Sequence, residues 1–324
     1  MTTDFTATST ANDVLNNVDL TGKHVLITGV SAGLGVETAR ALVAQGASVT
    51  GTARNLKKAE AAVSDIRLLA AESAGSFHLI EMDLAALNSV CAATDSLLNS
   101  NQHFDIVIAN AGVMATPEGK TADGFETQMG TNFIGHFVFI KRLIPALNPG
   151  ARIILLSSLA HAIADVNIED LNFELTPYDP WIAYGRSKTA VALLAVELER
   201  RYGSQNIHAA SVHPGAIQTE LQRHYSKEVD EAFIAEINKA NARRGLPPFQ
   251  WKTVQQGAAT TVWAAAAASV SDIAGKYCEN CHVADINNSD GVSDGVRSYA
   301  QDPAHASALW DAAERLVKEK FGDI

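Results

Sequence analysis

His24-Val25-Leu26-Ile27-Thr28-Gly29-Val30-Ser31-Ala32-Gly33-Leu34-Gly35 is the stretch on which the fold turns. An apolar run enters a glycine cluster, and a helical pattern over 34–45 follows. Glycines there allow a tight turn and let backbone N–H groups approach a pyrophosphate, while the helix N-terminus adds a favourable partial charge. A plain strand-to-helix turn would use similar residues, so the spacing alone says little. Its place at the first strand–helix junction makes Gly29, Ser31, Gly33, Leu34 and Gly35 candidate phosphate-cradling residues.

Outward from this stretch, strands are expected at 47–52, 77–82, 104–109, 152–156 and 207–212, with helices at 56–71, 84–98, 124–147, 183–201 and 304–321. Apolar strands alternating with helices predict an α/β, Rossmann-like, doubly wound sheet. It is mainly parallel, seven-stranded, and has helices on both faces. No linker or repeat divides the pattern, so residues 21–324 are expected to form a single dinucleotide-binding catalytic domain after a flexible N-terminal extension, 1–20. Two segments, 162–182 and 221–251, break the rhythm and are expected to be substrate-covering loops.

Composition narrows the function. A formal net charge of −11 over 324 residues argues against a nucleic-acid surface. The first twenty residues lack a basic start and an apolar run, and no apolar stretch is long enough to span a bilayer. Three cysteines make no disulfide framework, which suits a reducing cytoplasm. No membrane or nucleic-acid partner is expected; a homodimer or homotetramer is an open alternative to a monomer.

Tyr184-Gly185-Arg186-Ser187-Lys188 carries the chemistry. On a helix, Tyr184 and Lys188 share a face. A phenol titrates near pH 10, and a neighbouring ammonium lowers that value, so the pair can transfer protons. A tyrosine packed on a lysine stem is the bland alternative.

With these residues in view, the chain resembles the short-chain dehydrogenase/reductase family over about residues 20 to 285. The resemblance rests on Gly29, Gly33 and Gly35 in the family's Gly-x3-Gly-x-Gly pattern and on Ala109-Asn110-Ala111-Gly112, where Ala109 replaces the usual first Asn. It extends to Asn132, Ser158, Tyr184, Lys188 and Pro214-Gly215, all in family order. It implies that Tyr184 exchanges the substrate proton and that Lys188 lowers the tyrosine pKa and binds the nicotinamide ribose. By the same likeness Ser158 bonds the reacting oxygen, and Asn132 holds a water in a relay from Lys188. Asn110, Ala111, Gly112, Pro214, Gly215 and Thr219 would contact the cofactor, Thr219 at the nicotinamide amide, and Asp83-Leu84 would meet the adenine. Ser158 and Tyr184 are 26 positions apart, about twice the spacing of compact members. The extra piece is similar to an insertion in the retinol-dehydrogenase-like branch. No acid follows the second strand, and Arg54 could accept a 2′-phosphate, so NADP(H) is favoured over NAD(H).

The function expected is hydride transfer between a bulky hydrophobic secondary alcohol and its ketone, or an aldehyde. The substrate would be received by Phe173, Trp181, Tyr225, Phe233, Leu246, Phe249 and Trp251. The rivals are a sugar-nucleotide epimerase or dehydratase and a non-catalytic dinucleotide sensor. Cys278-Glu279-Asn280-Cys281-His282 fits a haem-attachment pattern, but it lacks an export signal and a second half-site, so no metal is expected. His161 and His213 are expected to pack or to line the pocket.

Overall fold

The computed structural model describes residues 5–225, 227–243, 245 and 248–318, with only the backbone at 227, 232, 233, 236 and 240. Eight strands form one sheet: β1 His24–Thr28, β2 Ser48–Ala53, β3 Ser76–Glu81, β4 Phe104–Ala109, β5 Leu147–Leu156, β6 Ile207–His213, β7 Tyr277–Glu279 and β8 His282–Val283. Their order is β3-β2-β1-β4-β5-β6-β7-β8. The first seven pair in parallel, and only the two-residue β8 runs antiparallel to its neighbour. The expected parallel strands are therefore present, and β8 extends them by a short hairpin whose Asn280 and Cys281 take positive φ.

Alternation along the strands explains the two-sided core. Leu26, Val107, Ile153, Leu155 and Ala209 face one helical layer, made by Leu87–Asn99, Gly135–Leu143, Pro180–Tyr202 and Pro303–Val317. Val25, Ile27, Ile106, Ile108, Ile154 and Val212 face the other, made by Gly33–Ala44, Ser64–Glu72 and Val254–Val262. A sheet buried on both faces needs apolar residues at every position, which is why its strands read as continuous runs.

The structure corrects four expectations. Residues 1–20 are not simply a flexible extension: Ala11–Leu15 is a helix opened by a capping box between Thr10 and Asp13. Its Ala11, Val14 and Leu15 are buried in the second core layer, which repays the ordering of so short a helix. The helix expected over 56–71 is two, Leu56–Ala62 and Ser64–Glu72, broken at Val63. The helix expected over 124–147 begins at Thr127, passes through a π-turn at Gly130–Ile134 and ends at Leu143. Leu147, expected to end that helix, is already the first residue of β5. Within 221–251 lies the helix Lys227–Arg243 rather than only loop.

Parallel order places all strand C-termini at one edge. The chain reverses its direction of winding between β1 and β4, the kind of crevice where ligands bind in such sheets.

Candidate active site

Gly29–Gly35, Arg54, Asp83, Asn110–Gly112, Ser158 and Pro214-Gly215 follow strand C-termini at this edge. After β1, Gly29 takes φ +79°, a conformation that side chains disfavour. At Gly35, a Cβ would stand 2.2 Å from the Gly29 carbonyl oxygen and 2.6 Å from Asn110 Nδ2. The bare turn comprising Gly29, Ser31, Gly33, Leu34 and Gly35 thus lies flush against the turn after β4. Asn110 Nδ2 donates to the carbonyls of Thr28 at 2.8 Å and Gly29 at 3.1 Å. The backbone N–H groups of Asn110 and Ala111 both donate to Thr28 Oγ1 at 3.0 Å.

Thr219 joins the same crevice: a Cβ on Gly33 would lie 3.3 Å from its methyl group. It follows Pro214-Gly215 beyond β6 and caps the turn Glu220–His224. Arg54 lies exposed just past β2. Asp83 follows β3, where its carboxylate accepts the N–H of Ala85 at 3.0 Å, with Leu84 buried beside it.

The reactive group candidates converge on the helix Pro180–Tyr202. Asp179 starts it by accepting the N–H groups of Trp181 and Ile182, and Pro180 occupies a first-turn position where no donor is needed. Tyr184 is 4% exposed, and the Ser158 side chain is near enough to lower the pKa of its phenol. Lys188, one turn on, donates from Nζ to the Leu156 carbonyl at 2.8 Å, its ammonium 5.7 Å from the Tyr184 ring centroid. Gly112 completes the grouping, since a Cβ there would lie 3.1 Å from Asn132 Oδ1 and 3.6 Å from Lys188 Nζ. Asn132 is pinned: Val113 N–H donates to its Oδ1 at 2.8 Å, while its Nδ2 donates to Val113 O and Ser187 Oγ, both at 2.9 Å. The structure therefore brings Asn132, Ser158, Tyr184 and Lys188 together.

Burial dominates the electrostatics. It pushes the Tyr184 phenol up to about 12, opposed by the Ser158 side chain, and pushes the Lys188 ammonium down to about 8. The expected lowering of the Tyr184 pKa by Lys188 is not seen: burial raises the phenol, and the opposing influence comes from Ser158. At neutral pH the site holds a protonated phenol beside an ammonium, which can give a proton to a carbonyl oxygen.

Tyr184 packs in a small apolar cluster with Met114, Ala115 and Ala160, against which Trp181, Leu221 and Tyr225 lie. Trp181 and Tyr225 pack with their ring centroids 5.2 Å apart and their planes tilted by 56°. Phe173 instead packs on Tyr178 and under Arg186, anchoring its loop, and Phe249 packs on Trp251. The Phe233 side chain and Leu246 lie outside the described residues. The loop 162–182 is ordered by Asp170, whose carboxylate accepts the N–H groups of Glu174, Leu175 and Thr176.

Sequence reading missed His136, which is buried and bonded to Thr28 and Asn132. It placed His161 and His213 only generally. His161 Nδ1 donates to the Ser158 carbonyl at 2.8 Å, and Arg297 N–H donates to its Nε2 at 3.1 Å. His213 Nδ1 accepts the Leu159 N–H at 3.2 Å. Cys278 and Cys281 are buried free thiols, raised by burial to about 12 and about 11. No cluster of three or more His, Cys, Asp or Glu able to hold a metal occurs among the described residues.

Residues 23–230 match the family model described as short chain dehydrogenase. The chain belongs to the short-chain dehydrogenase/reductase family. As a member it is an NAD(P)-dependent oxidoreductase acting on CH–OH groups. It is 35% identical over 322 residues to the short-chain dehydrogenase/reductase prx1 of Penicillium roqueforti, covering 96% of this chain and 91% of that protein. It is 35% identical over 303 residues to retinol dehydrogenase 13 of Mus musculus, covering 91% of this chain and 84% of that protein, in keeping with the retinol-dehydrogenase-like branch. The crystal structure of an uncharacterized protein from Mycobacterium Paratuberculosis shares the architecture of this dehydrogenase/reductase. The TM-score is 0.72 at 31% identity, over 99% of this chain and all of that one. No helix among the described residues is long and apolar enough to cross a membrane.

Proposed function

We propose that this dehydrogenase/reductase interconverts bulky hydrophobic secondary alcohols and their ketones, or aldehydes, using NADP(H) in preference to NAD(H), with Tyr184 as the proton donor and acceptor. One observation carries the reading. A buried, protonated Tyr184 phenol influenced by Ser158 sits in an apolar cluster that includes the aromatic side chains of Trp181 and Tyr225. Burial of such a substrate against these side chains would remove its apolar surface from water.

The residues present fit a nicotinamide dinucleotide. The turn Gly29–Gly35 offers backbone without side chains in the way, and buried Lys188 spends one N–H on Leu156 O, leaving two to donate to ribose hydroxyls. The bound cofactor supplies or accepts the hydride. In the reductive direction Tyr184 gives its phenolic proton to the substrate oxygen as the hydride reaches the carbonyl carbon. Ser158 bonds that oxygen, and the Lys188 ammonium stabilises the phenolate left behind. Asn132 lines the path by which a proton returns through Lys188. Arg54, exposed after β2 with no carboxylate following, is read as the partner of a 2′-phosphate. Buried free thiols suit a reducing cytoplasm, and a homodimer or homotetramer is the assembly to test.

Both rivals lose support on particular features. A sugar-nucleotide epimerase would carry a larger C-terminal unit, whereas β7 and β8 extend the same sheet. A dinucleotide sensor has no need of an intact Tyr184–Lys188 pair. The test is NADPH oxidation over a panel of bulky aryl and alicyclic ketones and aldehydes, with acetone and small hydroxy acids as contrast. Turnover should be highest on the bulky carbonyls and fall about 10²–10⁴-fold in Tyr184→Phe. A panel led by small polar carbonyls, or a Tyr184→Phe variant keeping more than about a tenth of activity, overturns the reading.

A further inference from the structure

His136 lies on the helix Gly135–Leu143, just past the π-turn that holds Asn132. It is 2% exposed, and both ring nitrogens are bonded. Nδ1 lies 2.9 Å from the Asn132 main-chain oxygen. A carbonyl only accepts, so Nδ1 carries the proton. Nε2 lies 2.8 Å from Thr28 Oγ1. Burial pushes the imidazole down to about 4, so at neutral pH Nε2 is bare and accepts the Thr28 hydroxyl proton. The same Thr28 oxygen accepts the N–H groups of Asn110 and Ala111. Thr28 thus makes one donated and two accepted hydrogen bonds, and no polar atom of the trio is left unbonded.

These bonds form a continuous buried chain. It runs from the two backbone amides after β4, through the threonine that ends β1, through the imidazole, to the carbonyl of Asn132. Asn132 and Lys188 both border the site of Gly112. The chain therefore ties the turns that flank the cofactor crevice to the main chain of Asn132, whose side chain borders the Gly112 site together with the Lys188 ammonium. Satisfied buried networks of this kind fix geometry because each broken bond strands a donor or acceptor away from water.

We infer, resting on the assignment of Tyr184 and Lys188 to proton transfer, that His136 is a positioning residue: through Nδ1–H it holds the main-chain carbonyl of Asn132, the residue whose side chain borders the Gly112 site together with Lys188, and through Nε2 it locks that carbonyl to the Thr28 turn. It touches neither substrate nor cofactor. Its effect is on proton return through Asn132 and Lys188, so removing it should slow turnover far more than it weakens cofactor binding.

Two variants and one spectrum test this. His136→Phe keeps a ring and removes both bonds; His136→Asn keeps an N–H near the place of Nδ1. The expected result is a fall in kcat of about tenfold or more for His136→Phe. The NADPH dissociation constant, read by fluorescence titration, should change less than about threefold. His136→Asn should recover most of the lost kcat. A His136→Phe variant with near wild-type kcat, or a His136→Asn variant as slow as His136→Phe, overturns the inference. The nitrogen signals of ¹⁵N-histidine-labelled wild-type protein decide the arrangement without any turnover. A protonated Nδ1 and bare Nε2 from pH 6 to 8 are expected, and a protonated Nε2 would overturn it even if the variants failed to fold. Failure of the proposed activity would show separately, as an absence of NADPH oxidation in wild-type protein with the predicted nitrogen signals intact.

Discussion

The Lys188 ammonium lies 5.7 Å from the centroid of the Tyr184 ring and is anchored to the Leu156 carbonyl rather than to the phenol. The two residues share a helical face, but they act on different partners. Lys188→Met should therefore damage both cofactor affinity and turnover, whereas Tyr184→Phe should spare affinity. Fluorescence titration with NADPH beside steady-state rates separates the two. Equal cofactor affinity in wild type and Lys188→Met would remove the lysine from the ribose.

Gly35 carries the second prediction. A methyl there would strike the Gly29 carbonyl and the Asn110 amide, neither of which can move without opening the turn. Gly35→Ala should cost about 1–3 kcal/mol of stability in denaturant unfolding. It should also weaken NADPH by about tenfold or more. A variant with unchanged midpoint and affinity would show that the two turns are not in contact.

Arg54 carries the third. A charge-assisted bond to a 2′-phosphate contributes about 1.5–3 kcal/mol, so Arg54→Ala should raise the NADPH dissociation constant roughly 10–150-fold and leave NADH nearly unchanged. A wild-type preference for NADH in titration would refute the assignment of Arg54.

The turn and the tyrosine–lysine pair were legible in the sequence because residue type and short spacing specify them: Gly29, Gly33 and Gly35 within one turn, Tyr184 and Lys188 on one helical face. His136 was not legible. Its partners are Thr28, on a distant strand, and the main-chain oxygen of Asn132, whose setting in a π-turn no local propensity encodes. The helix Ala11–Leu15 was missed because five residues carry too little periodicity; its burial against Val254–Val262 and Gly33–Ala44 is a tertiary fact. Phe173 is expected at the pocket from its apolar ring and its place in the segment 162–182, and neither distinguishes a loop anchor from a pocket wall.

A fourth prediction concerns acid. Burial holds His136 and His161 near 4, against about 6.5 in the unfolded chain. Below pH 6.5 the unfolded chain therefore binds more protons, and each histidine lowers stability as pH falls toward 4, with no further loss below that. Each contributes a slope of up to about 1.4 kcal/mol per pH unit. Glu126 and Glu279, whose carboxyls burial raises, act in the opposite sense above their unfolded values. Removing one histidine isolates its share: unfolding free energy of His161→Gln should depend less steeply on pH between 6.5 and 4.5 than that of wild type. Parallel curves would show that His161 is charged in the folded protein.

The central claim is hydride transfer to a bulky carbonyl with Tyr184 supplying the proton. Its most direct test is mass spectrometry of the alcohol formed from a bulky aryl ketone and NADPH deuterated on the transferring face of C4. The account predicts one deuterium on the carbinol carbon, with formation of that product nearly abolished in Tyr184→Phe. A carbinol carbon free of deuterium, or equal product from the Tyr184→Phe variant, would contradict it.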